Sequence, residues 1–310
     1  MYFFTAAETG GFMKIADAHC DLLSAADGLG GFKNSCLSIS EMLGYDSYVQ
    51  FLACFISPRF YNDAKRRFCV LKNRYFDMIN KNARSLMHCE SFDDAAAAEK
   101  LNKIACFITV EGGECIECAE DISKMRRVGV RVLGPVWDRE NRIASERGLT
   151  PFGKEIILKM NELGIYTDVS HMKDRAFYDV CSLSEKPVFA THSNSRAVCA
   201  AGRNLTDAQI GEIIRRGGFI GINLYPLFLS GNVNADIDDI LRHVEHILSL
   251  GGENNLGLGC DFDGIDFMPE GISGAGDLYK IFNRLSLVGY SDRLIQKISY
   301  ENLKEALRLF

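Results

Sequence analysis

The stretch "KIADAHCDLL", residues 14 to 23, begins as an apolar run and then places Asp17, His19 and Asp21 at every second position. In an extended strand, residues two apart face the same side. The alternation therefore aims two carboxylates and an imidazole into one space. A core strand has no use for that arrangement, because buried carboxylates are costly unless they are paired or hold a cation. A metal site needs it.

Seven further apolar runs follow: "YVQFLACFIS" (48–57), "ACFITVEGG" (105–113), "VRVLGPVW" (130–137), "IYTDVSH" (165–171), "PVFATHS" (187–193), "FIGINLY" (219–225) and "NLGLGCDFDG" (255–264). Between them lie stretches with apolar residues at helical spacing. "PFGKEIILKMNELG" and "DIDDILRHVEHILSLGG" both end in glycine, a helix stop. Near-continuous apolar strands alternating with helices predict a buried parallel sheet. Eight such units favour an α/β fold of the (β/α)8 TIM-barrel type, in a single domain, over an open doubly wound sheet. The segment 59–104 is long for one connection and has room for extra helices. No linker, repeat or charge block divides the chain, so residues 13–310 are expected to form the barrel domain. Residues 1–12 read as an N-terminal extension ahead of Met13.

The composition is that of a globular protein: 310 residues, 47% hydrophobic and 25% charged. A net charge of −6 and the lack of a clustered Lys/Arg stripe argue against a nucleic-acid partner. No run approaches the ~20 apolar residues of a membrane helix. "MYFFTAAETGGF" has neither the basic start nor the apolar core of a signal peptide, and "LKEALRLF" is no lipid-anchor tail. The expectation is a cytoplasmic protein with no membrane partner. The eleven cysteines sit mostly in apolar runs and read as buried free thiols. Cys115 and Cys118 have zinc-ribbon spacing, but no second such pair completes four ligands.

Polar residues then fall at the ends of the expected strands. His19 and Asp21 lie at the end of the first, Glu111 closes the third, His171 the fifth, His192 the sixth and Asp261 the eighth. In a parallel barrel those ends share one face, where active sites are built. Three histidines and three carboxylates exceed what one catalytic zinc takes, since it uses about three protein ligands plus water. Two metals bridged by a carboxylate fit the number, and Glu111 is the natural bridge because Gly112 and Gly113 let the backbone turn close to the ions. His88 lacks a strand-end context, and His243 and His246 read as structural residues of a helix. Asp17 either supports His19 from behind or caps the barrel's inner layer.

With these residues in view, the chain resembles the renal (membrane) dipeptidase family of zinc peptidases, within the metal-dependent amidohydrolase-like barrels. The resemblance rests on "DAHCDLL", "VEGGE", "GLTPFG", "DVSHM", "PVFATHSNSRAV", "GRNLTD" and "GLGCDFDG", in the family's order and approximate spacing. It implies a barrel with two Zn2+ per chain, one held by His19 and Asp21, the other by His171 and His192, with Glu111 between them. Arg203 of "GRNLTD" matches the family arginine that grips the substrate's terminal carboxylate, a task suited to a planar guanidinium. Asp261 matches the residue that handles the proton. Strand periodicity alone does not choose between Asp261 and Asp263. Where several family members carry a substrate-contacting histidine, this chain has Trp137, followed by the acidic Asp138 and Glu140.

The implied activity is zinc-dependent hydrolysis of dipeptides, L,D-dipeptides included, by a metal-bridging hydroxide at the C-terminal face of the barrel. Asp261 would move the proton, and Arg203 would restrict the site to short peptides. Members of the family are often dimers, so a homodimer is the assembly the resemblance implies. Two rivals stand beside this reading. One is another binuclear barrel hydrolase acting on a lactone, phosphoester or cyclic amide, which would not need Arg203. The other is a non-catalytic binding barrel, which would have lost ligands.

Overall fold

The computed structural model describes residues 13–25, 32 and 35–308. The expected extension, residues 1–12, lies outside the described residues. The described residues form eleven strands: β1 (Lys14–Asp17), β2 (Ser47–Phe55), β3 (Leu86–His88), β4 (Ile104–Glu111), β5 (Val132–Gly134), β6 (Ala144–Ser145), β7 (Gly148–Leu149), β8 (Tyr166–Thr167), β9 (Phe189–Ala190), β10 (Phe219–Ile222) and β11 (Leu256–Leu258). Eight of them form one parallel ring in the order β8, β5, β4, β2, β1, β11, β10, β9. A parallel bridge between Asp168 and Phe189 joins β8 to β9 and closes it. These eight are the eight apolar runs of the sequence, and the architecture is the expected (β/α)8 barrel.

The expected runs are longer than the strands. β8 stops at Thr167 and β9 at Ala190, so His171 and His192 stand beyond strand ends rather than on them. His19 and Asp261 likewise follow the last residues of β1 and β11. Glu111 alone is the final residue of its strand. The long 59–104 segment holds two helices, Ala64–Lys81 and Phe92–Lys100, and a strand the sequence pattern did not reveal. That strand, β3, pairs with the base of β4 from Ile104 to Cys106, while β5 pairs only with its top, Val110 and Glu111. The hairpin β6–β7 is also new.

Local chemistry explains the helices that frame the site. In Pro151–Leu163 the Thr150 side chain accepts from Gly153 N, Pro151 fills the first turn, and Gly164 ends the helix in the left-handed region at φ 67°. Ile237–Ser249 starts on a capping box of Asp236 and Asp239, and Gly251 takes the left-handed position after its end. Phe51, Phe107, Tyr166, Phe189 and Phe219, from five barrel strands, pack in one buried cluster. Tyr166 and Phe189 stack with centroids 4.5 Å apart. The barrel interior is thus a solid floor beneath the strand ends. No helix among the described residues is long and apolar enough to cross a membrane.

Candidate active site

At the C-terminal ends of the strands, His19, Asp21, Glu111, His171, His192 and Asp261 converge. Their donor atoms form three overlapping groups, His19–Asp21–Glu111, Glu111–His171–His192 and His19–His192–Asp261, each within 4.8 Å. Glu111 stands between the first two. Its Oε2 lies 3.3 Å from His19 Nε2. Its Oε1 lies 2.7 Å from His171 Nε2 and 3.5 Å from His192 Nε2. The carboxylate therefore turns one oxygen to each side. His171 Nε2 and His192 Nε2 are themselves 2.9 Å apart, and the rings of His19 and His192 lie 3.7 Å apart.

Whether these residues suit a cation can be read from their unmet valences. His19 Nε2, Asp21 Oδ1 and Glu111 Oε2 are buried and make no hydrogen bond. Buried polar atoms are rarely left so, and three from one group point to a missing common partner. The electrostatics agree. Burial raises the pKa of Asp21 well above the usual carboxylate range, with the Glu111 charge adding to it. Burial opposes the imidazolium of His19, but the adjacent Glu111 more than offsets this and pushes its pKa up to about 10. Glu111 itself is opposed by burial, yet the His19 charge draws its carboxyl well below its ordinary value. Imidazole nitrogens and carboxylate oxygens crowded in this way make a donor set for divalent metal ions.

Asp261 faces this cluster. Its Oδ1 lies 3.8 Å from His19 Nε2, and its Oδ2 accepts from Asn223 Nδ2 at 2.8 Å. Asp263 does not face it. Its Oδ2 accepts from Ser35 Oγ at 2.5 Å and its Oδ1 from Cys36 N at 2.9 Å, so it anchors the chain at Ser35 and Cys36, which follows β1. Both residues have left-handed backbones, at φ 61° and 62°. A Cβ on Gly264 would fall 2.4 Å from Asp261 Oδ1 and 2.6 Å from Asp21 Oδ2, so only glycine leaves room for the two carboxylates.

Arg203 lies beside the cluster, half-buried. Its Nη1 donates to Ser193 Oγ at 2.9 Å and its Nη2 to the His192 carbonyl at 3.0 Å, while its buried Nε has no partner. Trp137 stands between Phe55 and His171, with ring centroids 5.0 and 6.0 Å away, and walls one side of the site.

Two aspartates outside the cluster brace this centre. Asp17 stays out of the cluster, and its carboxylate accepts from Cys260 N at 2.8 Å, Gln50 Nε2 at 2.9 Å and His19 N at 3.3 Å. This is the supporting role held open for it. Asp168, which the sequence reading passed over, does the same between β8 and β9, accepting from Ser170 and Thr191. The one hint was the shared order of "DAH" and "DVSH". The remaining histidines are structural. His88 Nδ1 meets the Tyr75 hydroxyl at 2.8 Å, His243 Nε2 donates to Leu229 O at 2.8 Å, and His246 pairs with Asp207 at 2.7 Å. All eleven cysteines are free, and none belongs to a metal-ligand group among the described residues.

A (β/α)8 barrel carrying such a centre at its strand ends is the build of a metal-dependent hydrolase. The family model of membrane dipeptidase (peptidase family M19) matches residues 11–309. The chain belongs to this family of metallo-dipeptidases. An uncharacterised protein from the pqqA 5′ region of Klebsiella pneumoniae is 32% identical over 248 residues, which are 74% of this chain and 91% of that protein. The crystal structure of dipeptidase AC, a metallopeptidase of the same family, is 25% identical, with a TM-score of 0.88 over 96% of this chain and 98% of that one. A metallopeptidase from Rhodobacter sphaeroides, liganded with a phosphinate mimic of the dipeptide L-Ala-D-Ala, is 25% identical, with a TM-score of 0.87 over 96% and 99%.

Proposed function

We propose that the protein hydrolyses dipeptides, L,D-dipeptides among them, at a centre of two zinc ions. His19 and Asp21 would hold one ion and His171 and His192 the other, with Glu111 shared between them. The observation that carries this reading is the division of Glu111, whose Oε2 faces His19 while its Oε1 faces His171 and His192. The inclusion of L,D-dipeptides is supported by the L-Ala-D-Ala mimic bound by the Rhodobacter relative.

When bound, the two ions supply polarisation of the scissile carbonyl and acidification of water, whose pKa drops from ~15.7 to about 7 on zinc. Arg203 does the positioning: its guanidinium takes the free carboxylate of the dipeptide and sets the peptide bond over the cluster. Asp261 does the proton work. Asn223 holds its Oδ2, leaving Oδ1 to take the proton of the attacking water and hand it to the leaving amine, a role worth roughly 10²–10⁴ in rate. Burial raises the pKa of Asp261, which suits a carboxyl that must carry a proton. Phe55 and Trp137 exclude water from one flank.

The test is hydrolysis of L-Ala-D-Ala, L-Ala-L-Ala and N-blocked Ala-Ala by zinc-loaded protein, with metal content measured in parallel. Near two zinc ions per chain and cleavage of a free dipeptide are expected, and Arg203→Met should raise KM steeply. Two metals without peptide cleavage, or cleavage indifferent to Arg203, would hand the site to a different hydrolase reaction.

A further inference from the structure

We infer that Asp168 and Thr191 form a relay that fixes the proton of His192 on Nδ1 and so reserves its Nε2 for metal. The inference rests on the binuclear reading above, and it makes Asp168 and Thr191 positioning residues.

The hydrogen-bond count leads there. Asp168 is buried and meets only donors. Its Oδ1 receives Ser170 N and Thr191 N, each at 3.0 Å, and Ser170 Oγ at 2.5 Å. Its Oδ2 receives Thr191 Oγ1 at 2.5 Å. A threonine hydroxyl has one hydrogen. With that hydrogen spent on Asp168, the Thr191 oxygen can only accept; Ser170 Oγ, 3.4 Å away, spends its own hydrogen on Asp168 Oδ1, which leaves His192 Nδ1, 2.8 Å away, as the donor. A neutral imidazole carries a single N–H, so a proton on Nδ1 leaves Nε2 as a bare lone pair. That lone pair points at Glu111 Oε1 and His171 Nε2, the place where the second ion is proposed.

The relay is held rigidly. A Cβ on Gly221 would come within 2.0 Å of the Thr191 carbonyl oxygen, and one on Gly259 within 1.8 Å. The main chain of Thr191 is therefore packed against two bare glycine backbones and has no room to shift. Ser170 Oγ also accepts from His192 N at 3.2 Å, so the backbone of the ligand is tied to the same carboxylate through a second hydroxyl. Among the described residues no hydroxyl–carboxylate pair of this kind backs the ring of His19: Asp17 meets that residue through its backbone N–H alone. The two metal positions should therefore respond differently to loss of a hydroxyl at 191.

Thr191→Val removes the hydroxyl at nearly constant shape, and Thr191→Ser restores it. In the zinc-loaded wild-type enzyme, the Nδ1–H of His192 should give an NMR signal protected from solvent exchange. It should vanish in Thr191→Val and return in Thr191→Ser. Against a competing chelator, Thr191→Val should release one of its two zinc ions about 10- to 100-fold more readily than wild type while keeping the other, as expected when a partner behind a ligating histidine is lost. Thr191→Ser should behave as wild type. A His192 whose Nδ1 carries no proton in the wild-type enzyme would overturn the relay, even if Thr191→Val failed to fold. So would a folded Thr191→Val that keeps both ions as tightly as wild type. Wild-type protein holding fewer than two zinc ions would instead sink the binuclear reading, and the Nδ1 signal would still decide the relay.

Discussion

Between β2 and β4 the backbone ladder runs from Val49 opposite Ala105 to Phe55 opposite Glu111, whereas β8 and β9 meet only at the bridge of Asp168 with Phe189. The first wall delivers one site residue, Glu111, at the end of a regular strand. The second delivers His171 and His192 from chain that has already left the sheet, and side chains take over the work of the ladder. Asp168 ties Ser170 to Thr191, the Asn194 side chain donates to Asn223 O and accepts from Asn223 N, and His243 Nδ1 accepts from Ser195 N at 3.1 Å. A ladder fixes backbones at a set spacing, whereas His171 and His192, whose Nε2 atoms lie 2.9 Å apart, meet from chain that has left it. Where the site needs convergence, the fold gives up ladder bonds for buried polar networks. Such networks hold well when complete and fail badly when one member is lost.

The largest break in this contrast should come from Asp168→Ala. It strands two backbone N–H groups and two hydroxyls in a dry interior, at about 1–3 kcal/mol for each group left unpaired. A loss of at least about 3 kcal/mol is expected by denaturant titration of the zinc-free variant against zinc-free wild type. A loss under about 1 kcal/mol would mean that the β8–β9 side is held by something else.

A smaller effect concerns pH. His243 is buried, and burial pulls its pKa down from 6.5 to about 4, with the Leu229 carbonyl opposing in part. Its folded value lies below its unfolded one, so the stability it lends is complete above pH 6.5 and fades as pH falls toward 4, because protonating Nδ1 breaks its bond from Ser195 N. The span corresponds to about 3 kcal/mol at most. Between pH 6.5 and 4, wild type should lose stability more steeply than His243→Gln, and parallel slopes would remove His243 from the network. The smallest effect belongs to the laddered side. Lys14 pairs with Glu99 at 2.6 Å, with side chains 40% and 31% exposed, and Lys14→Ala should cost only about 0.2–1 kcal/mol. A greater loss would show that the laddered wall also leans on its side chains.

The same contrast explains what the sequence disclosed. Barrel strands are apolar on both faces, so all eight stood out as runs. β3 and the β6–β7 hairpin have three and two residues per strand, too few to leave a period. The histidines and carboxylates stood out because such residues are seldom placed after buried strands. Asp261 and Asp263 could not be told apart because alternation presumes an extended backbone, and at φ 61° and 62° neither has one. Only the contact of Asp263 with Ser35 and Cys36, some 228 residues earlier, separates them. Asp168 and Thr191 were passed over for a different reason: an aspartate and a threonine inside apolar runs look like minor interruptions until their partners are seen.

The meeting of the first strand with the last also sets a timetable. Ala18 N bonds to Leu258 O at 3.0 Å, Asp261 N to His19 O at 3.2 Å, and Asp21 N to Phe262 O at 2.8 Å. None of these can form until the final strand has been synthesised, long after His19, Glu111, His171 and His192 have left the ribosome. On the proposed assignment, a nascent chain would own its candidate metal ligands well before the carboxylate assigned to proton transfer. It would stay hydrolytically silent while being made, until the first strand and the one that carries Asp261 join.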